Sequence, residues 1–210
     1  MTSSEPRRLR ADAARNRQAL IEAAQRLFTT RGLSVTLDDI AAEAGVNVAT
    51  AYRNFASKLE LLQAFLQQIS DDAIRIAEDA AALDDPWQGL TDFFTKTLRL
   101  MAENRGMHDV VTASYTADFM QHLEDHVNPA LQTLLTRARK AGLVRPGLTP
   151  ADLGVVLQML ATVTDIETPD VEALVRRYLT LVLDGLRLAD KKLPGSAPSS
   201  TAVHTAATQN

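Results

Sequence analysis

The 210-residue sequence contains no cysteine, few aromatic residues and no long apolar run. Without cysteine the chain cannot form a disulfide, bind a metal through thiolates or use a cysteine nucleophile, and this composition fits a reducing compartment. No apolar stretch approaches the roughly 18 residues that a membrane span requires, and the arginines near the start precede no signal-peptide-like apolar segment. With 46% hydrophobic and 23% charged residues, the composition predicts a globular, cytoplasmic protein.

The sequence also lacks the alternating pattern of β-strands and any internal repeat. Its apolar residues recur at helical spacing along most of its length, which predicts an all-α protein. Motifs of enzymes are missing as well, because no nucleophile motif, phosphate-binding loop or pair of carboxylates in a suitable context is present. We therefore expect no catalytic centre and no bound cofactor.

The formal net charge of −4 is unevenly distributed. Residues 1–60 contain nine Lys and Arg residues against seven Asp and Glu residues, a balance of +2, and the rest of the chain has a balance of −6. Such asymmetry suggests that only the N-terminal part meets a polyanion. A solvated helix face alone could also produce so small a positive balance.

Two short helices joined by a tight turn are predicted in the N-terminal part of the chain. Thr36 and Asp39 have the spacing of a capping box, which starts the first helix immediately after Thr36. Gly45 supplies the backbone freedom needed where this helix ends, and Asn47 is suited to cap the second helix, residues 48–54. This arrangement is typical of a helix-turn-helix.

The outer face of the second short helix has the composition of a helix that lies on DNA. Its small residues allow close approach to base edges, and its hydroxyl and amide groups can bond to bases and phosphates. Ser57 and Glu60 predict a second capping box and a long helix beyond it. Lys58 lies in the first turn of that helix, where the dipole disfavours a cation unless an anion such as a phosphate lies nearby, although a solvated lysine is the alternative. The candidate DNA contacts on this surface are Val48, Ala49, Thr50, Tyr52, Arg53, Asn54 and Lys58, with Asn47 at the start of the second short helix.

Residues 12–62 resemble the DNA-binding domain of the TetR/AcrR family of transcriptional regulators. The resemblance rests on a helix that ends RLFTTRG and on the later stretch TLDDIAAEAGVNVATAYRNFASKLELL. It implies a homodimeric repressor whose N-terminal domains bind a palindromic operator in double-stranded DNA and whose C-terminal domains bind a small-molecule inducer. By the same resemblance Thr36, Tyr52 and Lys58 contact phosphates, and residues 48–50 face base edges.

The sequence departs from the family pattern at three positions in and beside the second short helix. Asn47, Ala51 and Asn54 stand where the family often has Ser, Leu and His. Each keeps a capping, apolar or hydrogen-bonding role, so the departures leave the operator sequence open. Phe55 is expected to anchor the helix in the core, and the alternative for Tyr52 is a half-buried side chain packed on the first helix.

Four regions are predicted along the chain. Residues 1–11 form a disordered basic arm, which either contacts DNA or serves only as a solubilising terminus. Residues 12–56 form a three-helix, helix-turn-helix DNA-binding domain. Residues 57–190 form a helical ligand-binding and dimerisation domain, and residues 191–210, rich in Pro, Gly, Ser, Thr and Ala, form a disordered tail.

Two helices near the C-terminus, residues 150–163 and 169–188, are apolar around most of their circumference. Such helices are buried on more than one side, and two of them exceed what one small core needs, so we expect them to form the homodimer interface. A helix is also expected over residues 117–141, with a kink or split near Pro129.

An apolar cavity with a few polar groups would suit a small-molecule inducer. Apolar and weakly polar residues of the C-terminal region could line it, although many of them would serve equally well as core. The candidate ligand contacts are Phe93, Phe94, Thr97, Met101, Met107, Tyr115, Phe119, Met120, Gln158, Met159 and Thr162.

His122 and His126 are spaced by four residues with Asp118 one turn earlier, a spacing that suits zinc or nickel. The neighbouring Glu124 and Asp125 are typical of a solvated face, so we expect no metal site. A metal-responsive regulator or a small helical metal-binding protein is kept as the alternative function. A helical binding protein that has lost DNA binding is disfavoured by the intact phosphate-contact residues.

Overall fold

The architecture is entirely helical in the part of the chain that the computed structural model describes, residues 5–104, 116–166, 168–187 and 193–197. These residues contain no β-strand, which confirms the predicted all-α class. None of the helices described is long and apolar enough to cross a membrane. The described residues form eight α-helices, namely α1 (Glu5–Arg31), α2 (Leu37–Glu43), α3 (Val48–Asn54), α4 (Lys58–Ala82), α5 (Pro86–Glu103), α6 (Thr116–Lys140), α7 (Pro150–Ala161) and α8 (Val171–Leu186). Short 3₁₀ helices cover Gly32–Ser34 and Thr162–Asp165.

The described residues divide into two compact units according to their internal contacts. Unit one comprises residues 5–69 with Asn104, and unit two comprises the described residues from 70–103 and from 116 onward. The division falls within α4 and not at the predicted boundary after residue 56. The first half of α4 belongs to unit one and buries a row of apolar side chains, namely Leu61, Leu62, Phe65 and Leu66.

The first helix begins earlier than the sequence predicts. α1 starts at Glu5, so the disordered arm predicted for residues 1–11 is wrong for residues 5–11. This stretch is rich in Arg, Ala and Leu, which have high helix propensity. Pro6 lies in the first turn, where its missing N–H costs no helical hydrogen bond. Residues 1–4 lie outside the described part of the chain, as does most of the predicted tail.

α1 supports the two short helices of unit one. It packs against both α2 and α3, and Leu20 and Phe28 lie in the core with almost no exposed surface. An exposed ion pair, Arg26 Nε to Glu43 Oε1 at 3.0 Å, also joins α1 to α2. Because exposed ion pairs contribute only about 0–1 kcal/mol, the apolar packing supplies most of this support.

A single apolar core holds unit two together. α5 lies at its centre and packs against α6, α7 and α8. The tightest approach is at Gly89, where a Cβ atom would lie 2.4 Å from the Ala80 carbonyl oxygen and 2.8 Å from Leu134 Cδ1. The absence of a side chain at this position therefore lets α5 reach both the end of α4 and α6.

Arg137 of α6 binds the connection between α4 and α5. Its guanidinium donates to the main-chain oxygens of Ala81 at 2.5 Å, Leu83 at 2.6 Å and Asp84 at 2.9 Å. Carbonyls at the end of a helix lack partners within the helix and carry the negative end of its dipole. One side chain thus satisfies three carbonyls and fixes the C-terminal end of α4 on α6.

Capping residues in the sequence mark the starts of α7 and α8 in unit two. Thr149 and Asp152 form the reciprocal bonds of a capping box at the start of α7. Asp170 caps α8 by accepting from the amide of Ala173 at 2.8 Å. The split considered at Pro129 is not present, because α6 continues through this residue.

Candidate nucleic-acid interface

The first short helix starts at the predicted capping box. Thr36 Oγ1 accepts from the amide of Asp39 at 3.1 Å, and Asp39 Oδ2 accepts from the amide of Thr36 at 2.9 Å and from its hydroxyl at 2.6 Å. These bonds, with a smaller contribution from the charge of Arg31, lower the pKa of Asp39 below its usual value. The Thr36 hydroxyl is therefore already engaged before any phosphate arrives.

The turn between α2 and α3 is fixed by main-chain bonds. Gly45 has a φ of 64°, its amide donates to the Ala42 carbonyl at 3.1 Å, and the amide of Val46 donates to the Ala41 carbonyl at 2.9 Å. This pair of bonds is a Schellman motif, which requires the left-handed conformation that glycine adopts without strain. Asn47 Oδ1 then accepts from the amide of Ala49 at 2.9 Å and caps α3.

One face of α3 is exposed and the opposite face lies in the core of unit one. Ala51 is buried, and Phe55 directly after the helix is also buried, which confirms its predicted role as an anchor. The guanidinium carbon of Arg17 lies 4.4 Å from the centroid of the Phe55 ring. The predicted DNA contacts on the exposed face are Val48, Ala49, Tyr52 and Arg53.

Polar side chains at the end of α3 bond to their own helix. Arg53 Nε donates to the Ala49 carbonyl at 3.1 Å and its Nη2 to Thr50 Oγ1 at 2.9 Å. Asn54 Nδ2 donates to the Thr50 carbonyl at 2.8 Å. Thr50 and Asn54 are half-buried, so the exposed edge of α3 is dominated by small side chains, Tyr52 and Arg53.

Tyr52 contacts a residue that sequence reasoning missed, Asp38 in the first turn of α2. The charge of Asp38 and its hydrogen bond with the phenol raise the pKa of Tyr52 above its usual value of 10.0. The phenol therefore keeps its proton and remains a hydrogen-bond donor. Tyr52 is 50% exposed, so part of its side chain is covered and part of it stays open to solvent.

Lys58 is the first residue of α4 and is half-buried. Ser57 Oγ accepts from the amide of Glu60 at 3.2 Å, as predicted, but Glu60 Oε2 accepts from the amide of Ala56 at 2.7 Å and so reaches one residue further back than a standard capping box. A cation at this end of a helix opposes the dipole, so Lys58 is well placed to gain from a nearby anion.

The candidate ligand contacts of α5 lie in or beside the core of unit two. Phe93 and Phe94 are buried and meet edge to face, with ring centroids 5.7 Å apart. Thr97 and Met101 are partly buried. Phe119 of α6 is partly buried as well.

Three of the other candidate ligand contacts do not line the interior of this chain. Gln158, Met159 and Thr162 are exposed, and 63% of the surface of Met159 is accessible. A helix that is apolar nearly all round does not reveal from its sequence which side faces the core. Met107 and Tyr115 lie outside the described residues, and so does the side chain of Met120.

The two histidines of α6 are exposed and adjacent. The ring centroids of His122 and His126 are 4.3 Å apart, and His126 Nδ1 lies 2.8 Å from the His122 carbonyl oxygen. Among the side chains that the structure describes, no group of three or more potential ligands could hold a metal ion. The side chain of Asp118 is not among them.

Two family models match this chain. The model described as bacterial regulatory proteins, tetR family, matches residues 20–65, and the model for the C-terminal domain of SbtR-like transcriptional regulators matches residues 85–188. Together these segments cover most of the helices described above, including α2 and α3.

The chain is also similar to solved structures and known proteins that are transcriptional regulators. The TetR transcription regulatory protein from Mycobacterium vanbaalenii is 30% identical with a TM-score of 0.64, covering 85% of this chain and 99% of that one. SCO0520 from Streptomyces coelicolor, a TetR transcriptional regulator, is also 30% identical with a TM-score of 0.64, covering 81% and 98%. The HTH-type transcriptional regulator TtgR from Pseudomonas putida is 29% identical over 185 residues, 83% of this chain and 85% of that protein.

Proposed function

Since this chain belongs to the TetR family of transcriptional regulators, we propose that it is a homodimeric repressor that a small molecule releases from a palindromic operator. The observation that carries the proposal is the exposed face of α3. The Asn47 cap at its start and the buried Ala51 and Phe55 hold this face in place. A preorganised helix of small side chains can enter the major groove of chromosomal DNA in the cytoplasm.

Contacts to DNA divide into those that position the protein and those that read bases. Tyr52 and Lys58 can donate to phosphates, which positions α3 without reading the sequence. Val48, Ala49 and Thr50 are the residues proposed to face base edges. Thr36 is proposed as a weaker phosphate contact, because its hydroxyl must first turn away from Asp39. Asn47, Arg53 and Asn54 complete the proposed interface.

Exposed apolar side chains on α7 and α8 support a homodimer formed through these helices. Met159 of α7 is 63% exposed, and Leu181 and Tyr178 of α8 are 58% and 41% exposed. Such residues are costly to leave in water and are typical of a subunit interface. A second copy of the chain is the proposed occupant, because a dimer also supplies the second recognition helix that a palindrome requires.

Release by a ligand follows from the geometry of a dimer on DNA. Two recognition helices must lie about 34–36 Å apart to enter successive major grooves. A ligand that prefers a dimer with another spacing weakens operator binding by the same coupling factor, typically about 1–3 kcal/mol. α4 is the proposed link, since it contributes residues to both units.

Selection from genomic DNA tests the proposed function directly. The protein is mixed with sheared genomic DNA of its own organism, and the bound fragments are recovered and sequenced. We expect enrichment of fragments that share a palindrome with half-sites about one helical turn apart. Ala49→Glu, which places a negative charge on the exposed face of α3, serves as the control and should abolish the enrichment. Recovery of random fragments by the unaltered protein would contradict a sequence-specific regulator.

A further inference from the structure

Two hydroxyl groups of unit two are buried without a hydrogen-bond partner in the part of the chain that the structure describes. Ser70 of α4 is 1% exposed and is the one buried polar residue among those described. Its Oγ atom has no partner, and neither has Oγ1 of Thr97 in α5. The two residues lie on consecutive helices joined by a three-residue connection, residues 83–85.

Seven other helical threonines among the described residues satisfy their hydroxyls locally. Thr91 Oγ1 donates to the Trp87 carbonyl at 3.1 Å, and Thr95 Oγ1 donates to the Thr91 carbonyl at 2.8 Å, both in the same helix as Thr97. The same bond to the carbonyl four residues earlier is made by Thr29, Thr30, Thr133, Thr136 and Thr180. A helix therefore does not force a hydroxyl to remain unpaired, and the hydroxyls of Ser70 and Thr97 are turned away from a bond that was within reach.

A buried hydroxyl without a partner is unfavourable, so native proteins contain few of them. The neighbours of Thr97 along its own helix are apolar. Thr97 is one turn from Phe93 and one turn from Met101, so the three side chains follow one face of α5. Ligand sites combine an apolar lining with a small number of placed polar groups, and this stretch has that composition.

We propose that Ser70 and Thr97 supply the hydrogen bonds that recognise the ligand in unit two. The ligand is an uncharged, largely apolar molecule with at least one hydroxyl, carbonyl or amide group. Among the described residues no charged side chain is buried as a whole, and the buried Nε atoms of Arg139 and Arg145 belong to side chains that are only partly buried. A charged ligand beside Ser70 and Thr97 would therefore lose its hydration without gaining a fully buried counter-ion. The proposal rests on the proposed function as a ligand-responsive regulator, and it replaces the exposed Gln158 and Thr162 as the polar contacts.

Matched pairs of small probes test this recognition. Naphthalene and 2-naphthol, and biphenyl and 4-phenylphenol, differ only by a hydroxyl, and their affinities for the full-length protein are measured by calorimetry. Thr97→Val and Ser70→Ala should each weaken binding of the hydroxylated probe by about fivefold and leave the hydrocarbon unchanged. Thr91→Val is the control, because this threonine lies in the same helix and bonds to its own backbone, and it should change neither affinity.

Thermal unfolding without ligand provides a second readout. If the hydroxyls are unpaired in the free protein, Thr97→Val and Ser70→Ala should raise the midpoint temperature of unfolding by about 2–4 °C, because each removes an unpaired buried hydroxyl. Thr91→Val should not raise this temperature. A lower midpoint in the first two variants would mean that water or the backbone satisfies these hydroxyls, and would overturn the proposal. The proposal would also be overturned if the two variants lost equal affinity for both members of a probe pair. It would likewise be overturned if the unaltered protein bound no hydroxylated probe.

Operator binding separates this inference from the proposed function. The variants Ser70→Ala and Thr97→Val should bind the selected operator as the unaltered protein does. If operator binding persists while the probes show no discrimination, only the assignment of the two hydroxyls fails. If the unaltered protein selects no operator, the proposed function itself fails.

Discussion

The phenol of Tyr52 lies beside the carboxylate of Asp38, so α2 places a negative charge next to the exposed face of α3. A DNA phosphate that accepts a hydrogen bond from Tyr52 must compete with this carboxylate and is repelled by it. Asp38 is expected to weaken binding to every DNA sequence and so to suppress non-specific binding.

Replacement of Asp38 by Asn should strengthen DNA binding. We expect an increase of about fivefold in affinity for a mixed-sequence duplex, because the variant removes one repulsive charge near a phosphate. Fluorescence anisotropy at low salt measures the change. Asp72→Asn, which removes an acidic residue of unit two that pairs with Arg75, should have little effect. An unchanged or lower affinity in Asp38→Asn would contradict the competition.

The titration of Tyr52 should reveal the same contact without DNA. Because Asp38 raises the pKa of the phenol, the stabilising contribution of the protonated phenol is present below the unfolded pKa and is lost as the pH rises through the higher folded pKa. Asp38→Asn should shift this titration to lower pH. Ultraviolet absorbance of tyrosinate, taken as the difference from a Tyr52→Phe variant, reports it. Identical curves with and without Asp38 would exclude the contact in solution.

Lys58→Ala should reduce the salt dependence of DNA binding. A lysine that neutralises one phosphate releases about one counter-ion, so the slope of log K against log salt should fall by about one and all sequences should weaken alike. Lys96→Ala is the matched control, because Lys96 lies in unit two and pairs with Asp92 at 2.9 Å. An unchanged slope in Lys58→Ala would show that this lysine does not meet phosphate.

Thr50→Val should change which operator is preferred more than it changes non-specific affinity. The variant removes a proposed base contact and also the oxygen that accepts from Arg53 at 2.9 Å, which releases the guanidinium from its place on α3. Affinities for the selected operator and for a scrambled duplex give the comparison. Thr95→Val, an exposed position of α5, should alter neither. Equal losses on both duplexes would defeat the assignment of Thr50 to base reading.

Leu181→Glu should separate the proposed dimer. The change places a charge on the exposed apolar face of α8, where burial against a second copy would leave it unpaired. Sedimentation should show a monomer, with its helical content retained because Leu181 is 58% exposed within one chain. Asp184→Asn, an exposed position on the same helix, is the control. If the Leu181→Glu protein remains dimeric, the dimer interface does not include this face of α8.

The start of α2 and both bounds of α3 could be predicted because the signals that set them are local. Thr36, Asp39 and Asn47 act through bonds to amides two or three residues away, and Gly45 acts through its own φ. Such interactions depend on the order of residues along the chain and hardly on the rest of the fold. The early start of α1 at Glu5 was not predicted. Residues 5–11 are charged and polar, which indicated disorder, although many of them have high helix propensity.

What the sequence could not predict depends on contacts between distant residues. In the sequence, Ser70 is indistinguishable from an ordinary polar residue of a long helix. Only the packing of unit two shows that its hydroxyl is buried. Met159 reads as core, yet α7 presents it to the outside. The partnership of Tyr52 with Asp38 spans two helices and was missed for the same reason. Rotation of a helix about its axis is decided by tertiary packing, which a periodic pattern does not encode.

Arg137 binds three main-chain oxygens at the connection between α4 and α5. These oxygens are the same whatever side chains Ala81 and Asp84 are exchanged for, provided that the backbone keeps its path. An inserted or deleted residue, in contrast, would carry at least one of the three carbonyls out of reach of the guanidinium. We therefore expect the length of this connection and the arginine to be constrained together, and more tightly than the side chains at positions 81 and 84.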